Sequence, residues 1–277
     1  MDYIEFTLNL LPETDPEVVM AILSEAGFES FDDNDGPLRG YIPETLFDPA
    51  RVLPVLDEMV EKGWILYRYE TVQSQNWNAV WESNYNPVMI DGQCRVRAPF
   101  HPPDKEFRYD LLIEPKMSFG TAHHETTELM ISMLLQEEAT LKGQRVLDMG
   151  CGTGVLAILA DKMGAGACVA IDNDDWAFEN ALDNKEKNKS ASVTILRGDA
   201  GNIPEPAYDL IMANINRNVL LRDLSGYSRH LRTPGTLLIS GFYEEDLPPL
   251  LQVATTMGFQ LQKTRVKNRW MCAKFVR

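Results

Sequence analysis

The sequence predicts an α/β protein in which a small α+β domain precedes a larger domain built on a mainly parallel sheet. Three observations carry this prediction. The first quarter of the chain reads as strand, helix, strand, strand, helix and strand, and from Leu111 onward strand-like and helix-like segments alternate. Between Val146 and Leu159, a glycine-rich turn joins an apolar strand to an apolar helix. The length of 277 residues suits two domains.

The first domain is predicted over residues 1–72. In chain order we expect a strand at 3–8, a helix at 16–26, strands at 28–31 and 38–42, a helix at 49–62 and a strand at 64–72. Gly27 and Gly63 end the two helical patterns, and Asn34-Asp35-Gly36 is a turn signal. This order is typical of a ferredoxin-like sandwich, a fold that hosts many binding roles and therefore does not fix a function.

Negative charge is concentrated in this first domain. The chain has a formal net charge of −15, and residues 1–75 hold sixteen Asp and Glu residues against four Lys and Arg residues. Direct binding of a nucleic-acid backbone through this part is therefore not expected. The acidic residues form either a solvated surface that keeps the protein in solution or a docking face for a basic macromolecule.

The chain lacks the features of exported and membrane proteins. Its N-terminal stretch has neither the basic start nor the small-residue cleavage site of a signal peptide. The apolar run Val155–Ala160 is far shorter than the roughly 20 residues that a membrane helix needs. No C-x-x-C pair occurs among the four cysteines, which argues against a disulfide framework or a zinc ribbon. We therefore expect a cytoplasmic protein with no membrane partner.

Residues 73–104 are predicted to connect the two domains, and the second domain is predicted over residues 105–277. The connector combines aromatic side chains with a proline cluster at Pro99, Pro102 and Pro103. The aromatic side chains, Trp77 and Trp81 among them, could stack on a ligand, although packing between domains is the simpler interpretation.

The glycine-rich turn is the first candidate binding site. It lies between a predicted strand, Arg145–Asp148, and a predicted helix, Val155–Met163, and it holds three glycines at alternate positions: Gly150, Gly152 and Gly154. Bare backbone N–H groups and a helix N-terminus can approach a ligand there, while close packing of helix on strand is the alternative. The pattern D-x-G-x-G-x-G from Asp148 resembles motif I of class I methyltransferases. This resemblance implies that Asp148 and the three glycines bind S-adenosylmethionine.

Two acidic residues follow the next predicted strands. Asp172 ends the strand that begins at Cys168, where an acid can accept two hydrogen bonds from ribose hydroxyls. The nearby Asp174 is better suited to capping the following helix. Asp199 comes just after the strand Val193–Leu196, where an acid commonly meets the adenine amine in such enzymes, although it could equally be a turn residue.

Asn214 is the candidate catalytic residue. It ends the predicted strand Tyr208–Ala213, at the place where enzymes that methylate amides and bases carry Asn/Asp-Pro-Pro-Tyr/Phe. Ile215 and Asn216 replace the two prolines here and no aromatic residue follows, so a flat substrate fits poorly. An aliphatic amine remains, with the Asn214 carbonyl oxygen accepting its N–H. A strand-end Asn that bonds its own turn is the alternative.

A histidine pair raises the possibility of a metal site. The stretch from His124 to Glu128 falls one histidine short of H-E-x-x-H, because Glu128 stands at the second histidine position. We therefore expect no metal and interpret His123 and His124 as residues of a helix start or of a pocket.

Several motifs in this order closely resemble the PrmA family, which methylates the eleventh protein of the large ribosomal subunit. Phe119–Thr127 reads FGTAHHETT where the family has FGTGTHPTT, and VLDMGCGTGVLAI, ID and ANI follow. The W-x-x-x-W pair in the connector is also typical of the family. The likeness spans nearly the whole chain, and it implies cofactor contacts at Thr127, Gly150, Asp172 and Asn214.

The resemblance implies a seven-stranded class I (Rossmann-like) methyltransferase domain preceded by a ferredoxin-like domain that captures a basic ribosomal protein of the large subunit. The expected function is transfer of methyl groups from S-adenosylmethionine to lysine ε-amines, the N-terminal α-amine, or both. One alternative is another class I N-methyltransferase that acts on a different protein or on a small-molecule amine. The other is a nucleoside-binding module without catalysis.

Overall fold

The structure is a computed structural model that describes residues 2–33, 36–72, 77–116 and 118–277, without the side chains of residues 77–80. The predicted turn residues Asn34 and Asp35 and the Trp77 side chain lie outside this description. The chain divides into two compact units, Met1–Asn84 and Tyr85–Arg277. None of the described helices combines the length and the apolar character needed to cross a bilayer.

The first unit is a four-stranded antiparallel sheet with helices in the predicted order. Its elements are β1 (Tyr3–Leu10), α1 (Pro16–Ala26), β2 (Ser30–Asp32), β3 (Leu38–Pro43), α2 (Pro49–Glu61), β4 (Ile65–Val72) and α3 (Trp77–Asn84). The strands lie in the order β2-β3-β1-β4, so β1 pairs with both β3 and β4. The α3 helix falls in the predicted connector, for which no helix was expected.

Local sequence signals explain why the first helix has its predicted bounds. The Asp15 carboxylate accepts a hydrogen bond from the Glu17 N–H at 2.9 Å, and Pro16 occupies the first turn, where an N–H would have no helical partner. Side chains from the sheet and from both long helices are buried together in the core of this unit, among them Phe6, Leu8, Leu23 and Leu56.

The second unit is larger and carries two sheets. Its elements are β5 (Val88–Ile90), β6 (Cys94–Arg97), β7 (Tyr109–Leu112), α4 (Glu125–Leu135), α5 (Glu138–Leu141), β8 (Arg145–Met149), α6 (Val155–Lys162), β9 (Ala167–Asp172), α7 (Asp175–Lys187), β10 (Val193–Arg197), β11 (Tyr208–Asn214), α8 (Arg217–His230), β12 (Leu231–Tyr243), α9 (Leu247–Thr256), β13 (Gln260–Lys267) and β14 (Trp270–Val276). Seven strands form a mixed sheet in the order β10-β9-β8-β11-β12-β14-β13, in which β14 is antiparallel to both of its neighbours.

This seven-stranded sheet is covered on both faces. Alternate residues of β8 belong to two separate cores, with Val146 in one and Leu147 and Met149 in the other. Burial on both faces explains why the parallel strands read as continuous apolar runs. The prediction of an α/β protein with a mainly parallel sheet is confirmed.

Residues 85–104, which the sequence analysis assigned to the connector, fall in the second unit. They supply β5 and β6, and β6 pairs in parallel with β7 to form a small three-stranded sheet. Ile90, Cys94 and Val96 are buried in the core of the second unit, which is why this stretch belongs to it. These strands are only three and four residues long, too short for hydrophobic periodicity to reveal them.

The order of the seven strands fixes where a ligand can bind. Among the five parallel strands β8 lies in the middle, with β9 and β10 on one side and β11 and β12 on the other. A parallel sheet of this kind has a crevice at the carboxyl ends of its strands. The crevice lies at the point where the strand order reverses, so that successive connections run to opposite sides of the sheet. Apart from Thr127, which lies in α4, the predicted site residues lie at or near the ends of β8, β9, β10 and β11.

Candidate active site

A cleft of about 780 Å³ opens at this edge of the sheet. Five of the predicted site residues line it: Gly150, Gly152, Asp172, Asp199 and Asn214. The other three, Thr127, Asp148 and Gly154, are not among its described lining residues. The structure therefore brings most of the predicted residues to one surface and places the remainder behind it.

Two other segments of the chain, which contain Phe119 and Ile215, pack closely against the glycine turn. Gly150 and Gly152 have φ angles of +66° and +55°, which residues with a side chain rarely adopt. A Cβ atom on Gly150 would lie 2.2 Å from Ile215 Cγ2, and one on Gly152 would lie 2.2 Å from the Phe119 carbonyl oxygen. Glycine is therefore needed here for close approach as well as for conformation. Gly154 is the N-cap of α6.

The backbone N–H groups of the turn are used within the protein, which differs from the expectation that they would face a ligand. The amides of residues 150 and 151 donate to the Ile171 carbonyl oxygen, and those of residues 152 and 153 donate to Asp172 Oδ2 and to the Phe119 carbonyl oxygen. Internal acceptors from β9 and from the loop before α4 take these donors. The turn therefore lets a ligand approach the backbone closely, but the N–H groups of residues 150–153 are not free to bind it.

Asp172 is held in place by the backbone. Its Oδ2 accepts the Gly152 N–H at 2.8 Å, and its Oδ1 accepts the Asp174 N–H at 3.1 Å. Each carboxylate oxygen has a second lone pair, so Asp172 can still accept hydrogen bonds from the cleft. Asp174 caps α7 by accepting the Ala177 N–H at 2.8 Å, as the sequence analysis expected.

Asp148 is buried beneath the turn and is only 1% exposed. Its Oδ2 accepts the Ala157 N–H at 3.2 Å, while its Oδ1 has no hydrogen-bond partner among the described residues. Burial raises the pKa of Asp148 to about 7, against the lowering effect of the Ala157 N–H, and the nearby charge of Asp172 adds to the rise. Asp148 therefore supports the turn and the start of α6 from below.

Asp199 has a local role as well as a place in the cleft. Its Oδ1 accepts the Gly201 N–H at 2.8 Å, and it caps a single 3-10 turn over residues 200–202. Asp199 is exposed and lines the cleft. Both interpretations made from the sequence, a turn residue and a residue facing the cofactor, are therefore compatible with its position.

Asn214 presents an unused acceptor. Its Nδ2 donates to Thr127 Oγ1 at 3.1 Å, whereas its Oδ1 is buried and has no partner within the described part of the chain. Thr127 is 1% exposed and lies in the first turn of α4. Because the hydroxyl of Thr127 engages the amide nitrogen, the Asn214 side chain is turned with its carbonyl oxygen as the free group.

The loop before α4 lies across the glycine turn. The Thr153 N–H donates to the Phe119 carbonyl oxygen at 2.9 Å, and the Thr153 hydroxyl donates to the Gly120 carbonyl oxygen at 2.7 Å. His124 is the N-cap of α4, a helix-start position of the kind expected. The described residues contain no group of His, Cys, Asp or Glu side chains that could hold a metal ion.

Sequence reasoning missed several cleft residues. Trp176, at the start of α7, lines the cleft, and so does Tyr227 of α8, whose buried hydroxyl has no partner among the described residues. An aromatic row also continues from Phe119 to His124 and Trp270, with ring centroids 5.1 and 4.7 Å apart. The sequence offered one signal for these residues: an aromatic side chain, Trp176, lies only four positions after the predicted ribose ligand Asp172.

The cleft is acidic. Its described lining contains four carboxylates and one guanidinium: Asp172, Asp174, Asp199, Asp223 and Arg222. Arg222 is already paired with Asp223 through a contact of 2.7 Å. The excess of negative charge favours a ligand that carries positive charge.

The chain is similar to a family of known proteins. A family model described as ribosomal protein L11 methyltransferase (PrmA) matches residues 33–277. The ribosomal protein L11 methyltransferase of Porphyromonas gingivalis is 47% identical over 271 residues, which cover 96% of this chain and 92% of the relative. The protein of the same name from Bacteroides thetaiotaomicron is 40% identical over 280 residues, which cover 99% of each chain.

One solved structure is similar over the larger part of the chain. The crystal structure of ribosomal protein L11 methylase from Lactobacillus delbrueckii subsp. bulgaricus matches with a TM-score of 0.64 and 27% identity, covering 70% of this chain and 99% of that one. The second unit thus has the α/β methyltransferase fold. From the family model and these relatives, we conclude that the chain belongs to the ribosomal protein L11 methyltransferase (PrmA) family.

Proposed function

We propose that this chain transfers methyl groups from S-adenosylmethionine to amine nitrogens of ribosomal protein L11, the protein named as the substrate of its relatives. The modified groups are lysine ε-amines, the N-terminal α-amine, or both. The observation that carries this proposal is the Asn214 carbonyl oxygen, which is buried at the cleft without a partner among the described residues. A substrate N–H would satisfy it, and buried acceptors are rarely left unsatisfied.

The residues around the cleft fit the cofactor. A volume of about 780 Å³ lies within the usual range for small-molecule sites, and the acidic lining suits a ligand with a sulfonium and an amino group. We assign contact with the cofactor to Gly150, Gly152, Asp172 and Asp199. Asp172 would accept the ribose hydroxyls through its remaining lone pairs.

Three further predicted residues support this surface from behind. Asp148 holds the start of α6, Gly154 caps the same helix, and Thr127 fixes the amide of Asn214. Their effect on the cofactor is therefore proposed to pass through the glycine turn and through Asn214, and not through direct contact.

The substrate amine must reach the cleft without its proton. S-adenosylmethionine, when bound, supplies a methyl group on a positively charged sulfur, and only an amine with a free lone pair can accept it. Deprotonating a lysine at pH 7 costs roughly 4–5 kcal/mol, whereas an N-terminal amine costs roughly 1–1.5 kcal/mol. Removal of water around Asn214 lowers the pKa of the bound amine and so reduces this cost.

Asn214 orients the amine and does not remove its proton. A carboxamide has no basic group in the physiological range, and its carbonyl oxygen can only accept a hydrogen bond. The described lining of the cleft contains no histidine or lysine that could act as a base near neutral pH. We infer that the proton leaves to water before transfer, with Asn214 aiming the nitrogen lone pair along the direction of transfer.

The first unit is proposed to recognise the protein substrate. The strand order β2-β3-β1-β4, with two helices between the strands, supports a ferredoxin-like domain over residues 1–72. Sixteen acidic residues against four basic ones in residues 1–75 would attract a basic protein and repel a nucleic-acid backbone. Binding of the substrate by this unit should therefore weaken as salt is added, because exposed charges are screened within about 8 Å at 0.15 M.

Methyl transfer can be tested with the purified chain, purified L11 and isotope-labelled S-adenosylmethionine, followed by mass spectrometry of L11. We expect labelled methyl groups on amines of L11 and a strongly reduced rate with the Asn214→Ala variant. Label found only on other proteins or on small amines would favour a different N-methyltransferase. Binding of the cofactor without transfer to L11 or to any other ribosomal component would favour a module without catalysis.

Salt dependence tests the role of the first unit separately. The KM for L11 should rise more steeply between 50 and 300 mM salt than the Kd for S-adenosylmethionine, because the cofactor meets only the few carboxylates of the cleft. A KM for L11 that does not respond to salt would exclude recognition through the acidic residues and leave the transfer reaction itself untouched.

A further inference from the structure

Trp176 is an exposed tryptophan at the wall of the cleft. The residue is 72% exposed, although it lies among the residues that line the cleft. Tryptophan is highly buried on average in folded proteins, so an indole left in water is unusual. In the part of the chain that the structure describes, Trp176 makes no hydrogen bond through its side chain and no aromatic ring contact.

The order of the strands places Trp176 at one end of the cleft. The cleft runs along the ends of β11, β8, β9 and β10, with Asn214 at the end of β11 and Asp199 just after β10. Consider a nucleoside ligand with its reacting group at Asn214 and its ribose at Asp172. Its base must then lie toward β10, because β10 is the next strand beyond β9. Trp176 lies in the first turn of α7, the helix that follows β9.

We propose that Trp176 contacts the cofactor, and that its indole covers one face of the purine of S-adenosylmethionine. This inference rests on the proposed function, since it takes the ligand from there. Small apolar residues of the cleft lining are available for further contacts with the cofactor: Ile171, Ala177, Ala200 and Val219.

The chemistry of the two rings supports the assignment. An indole and a purine are both flat, and stacking of a base on an aromatic side chain is tolerant of small changes in position. The purine would remove from water the ring surface that is exposed in this structure. Asp199, which lines the same end, can accept a hydrogen bond from the exocyclic amine of adenine.

The test compares the binding of S-adenosylmethionine, measured by calorimetry, in four proteins. These are the wild type, Trp176→Ala, Trp176→Phe and Met89→Ala. Met89 is 62% exposed and lies outside the cleft lining, so its truncation removes a similarly exposed apolar side chain elsewhere. We expect Trp176→Ala to raise the Kd about tenfold, Trp176→Phe to raise it less and Met89→Ala to leave it unchanged.

Fluorescence supplies a readout that a structural role would not change. Binding should quench the emission of the wild type, and most of that change should disappear in Trp176→Phe, although the other four tryptophans remain. An unchanged Kd in Trp176→Ala, with a wild type that binds, would overturn this inference alone. A wild type that does not bind S-adenosylmethionine would overturn the proposed function and this inference together.

Discussion

Among the buried oxygens near the cleft that lack hydrogen-bond partners in the described part of the chain, Asp148 Oδ1 and Asn214 Oδ1 differ in how a partner can be supplied. Asp148 Oδ1 lies beneath the glycine turn, and Asn214 Oδ1 lies at the end of β11 where the cleft opens. Asp148 can bind a proton, and burial raises its pKa to about 7. Asn214 cannot titrate, so its oxygen stays an acceptor until a donor arrives from the cleft.

This difference separates a structural role from a functional one. A carboxylate that becomes neutral removes most of the cost of its burial, and it does so within the protein. An amide oxygen that is buried without a donor lowers the stability of the folded protein. Groups of this kind are concentrated at functional sites. We therefore expect substitutions of Asp148 to change stability and substitutions of Asn214 to change turnover.

The largest expected effect is on stability, through Asp148. Its pKa is raised in the folded state from the ordinary 3.8 to about 7, so between these values the folded protein retains a proton that the unfolded chain releases. Stability then falls as pH rises through this window. In Asp148→Asn this loss is absent, so from pH 4 to pH 8 the variant should gain up to about 4 kcal/mol relative to the wild type.

Urea unfolding of both proteins at several pH values measures this. Asp223→Asn is a suitable control, because this carboxylate is also largely buried but is paired with Arg222. If the stability difference between Asp148→Asn and the wild type stays constant from pH 4 to pH 8, Asp148 is not protonated in the folded state and the contrast with Asn214 fails.

Asn214→Ala should lower kcat about a hundredfold, because loss of one positioned hydrogen-bonding group in a water-excluded site commonly has effects of this size. The free energy of unfolding should change little, because the variant removes a buried oxygen without a partner together with the single hydrogen bond from Asn214 Nδ2 to Thr127. Kinetics with saturating S-adenosylmethionine and urea unfolding of the same preparation measure both quantities. A variant that retains full kcat, or one that loses activity only because it unfolds, would contradict the functional role.

Asp172→Ala should act on the cofactor instead of on turnover. Hydrogen bonds to a charged acceptor contribute roughly 1.5–3 kcal/mol each, so we expect the Kd for S-adenosylmethionine to rise at least about tenfold. The variant also leaves the Gly152 and Asp174 N–H groups without their acceptor. Asp172→Asn keeps an acceptor for one of them and serves as the control for local distortion. Calorimetry that shows an unchanged Kd in folded Asp172→Ala would remove Asp172 from the cofactor site.

The smallest effect is expected at Thr127, which acts through Asn214. Thr127→Val removes the hydroxyl that accepts the Asn214 Nδ2–H and nearly keeps the volume, so kcat should fall about tenfold. Thr127→Ser retains the hydroxyl and should restore most of the rate. Thr127 would be a direct cofactor residue if Thr127→Val raised the Kd for S-adenosylmethionine as much as Asp172→Ala does.

The sequence allowed prediction of the elements that local signals define. Asp15 and Pro16 start α1 where they should, Asp174 caps α7, and Asp172 ends β9 at the cleft. Each of these depends on neighbours within a few residues, which a sequence displays directly. The α/β class followed from the alternation of such elements.

The packing of the site could not be predicted in the same way. Asn214 and Thr127 are 87 residues apart in the chain, so the hydrogen bond that turns the amide is visible only in the folded protein. The Phe119 carbonyl oxygen and Ile215, which enclose the glycine turn, come from two other segments. The sequence predicted free N–H groups at the turn, whereas the structure shows them bonded to acceptors within the protein. These acceptors belong to segments that are remote in sequence, so the sequence did not reveal them.

The central claim is that Asn214 orients an amine that has already lost its proton. The most direct test is the single-turnover rate of L11 methylation from pH 6 to pH 10, with saturating S-adenosylmethionine, in the wild type and in Asn214→Ala. We predict that the rate rises about tenfold per pH unit until the pKa of the amine, with the variant slower by a constant factor throughout. A wild-type rate that is flat across this range, or a variant with a different pH dependence, would contradict the claim.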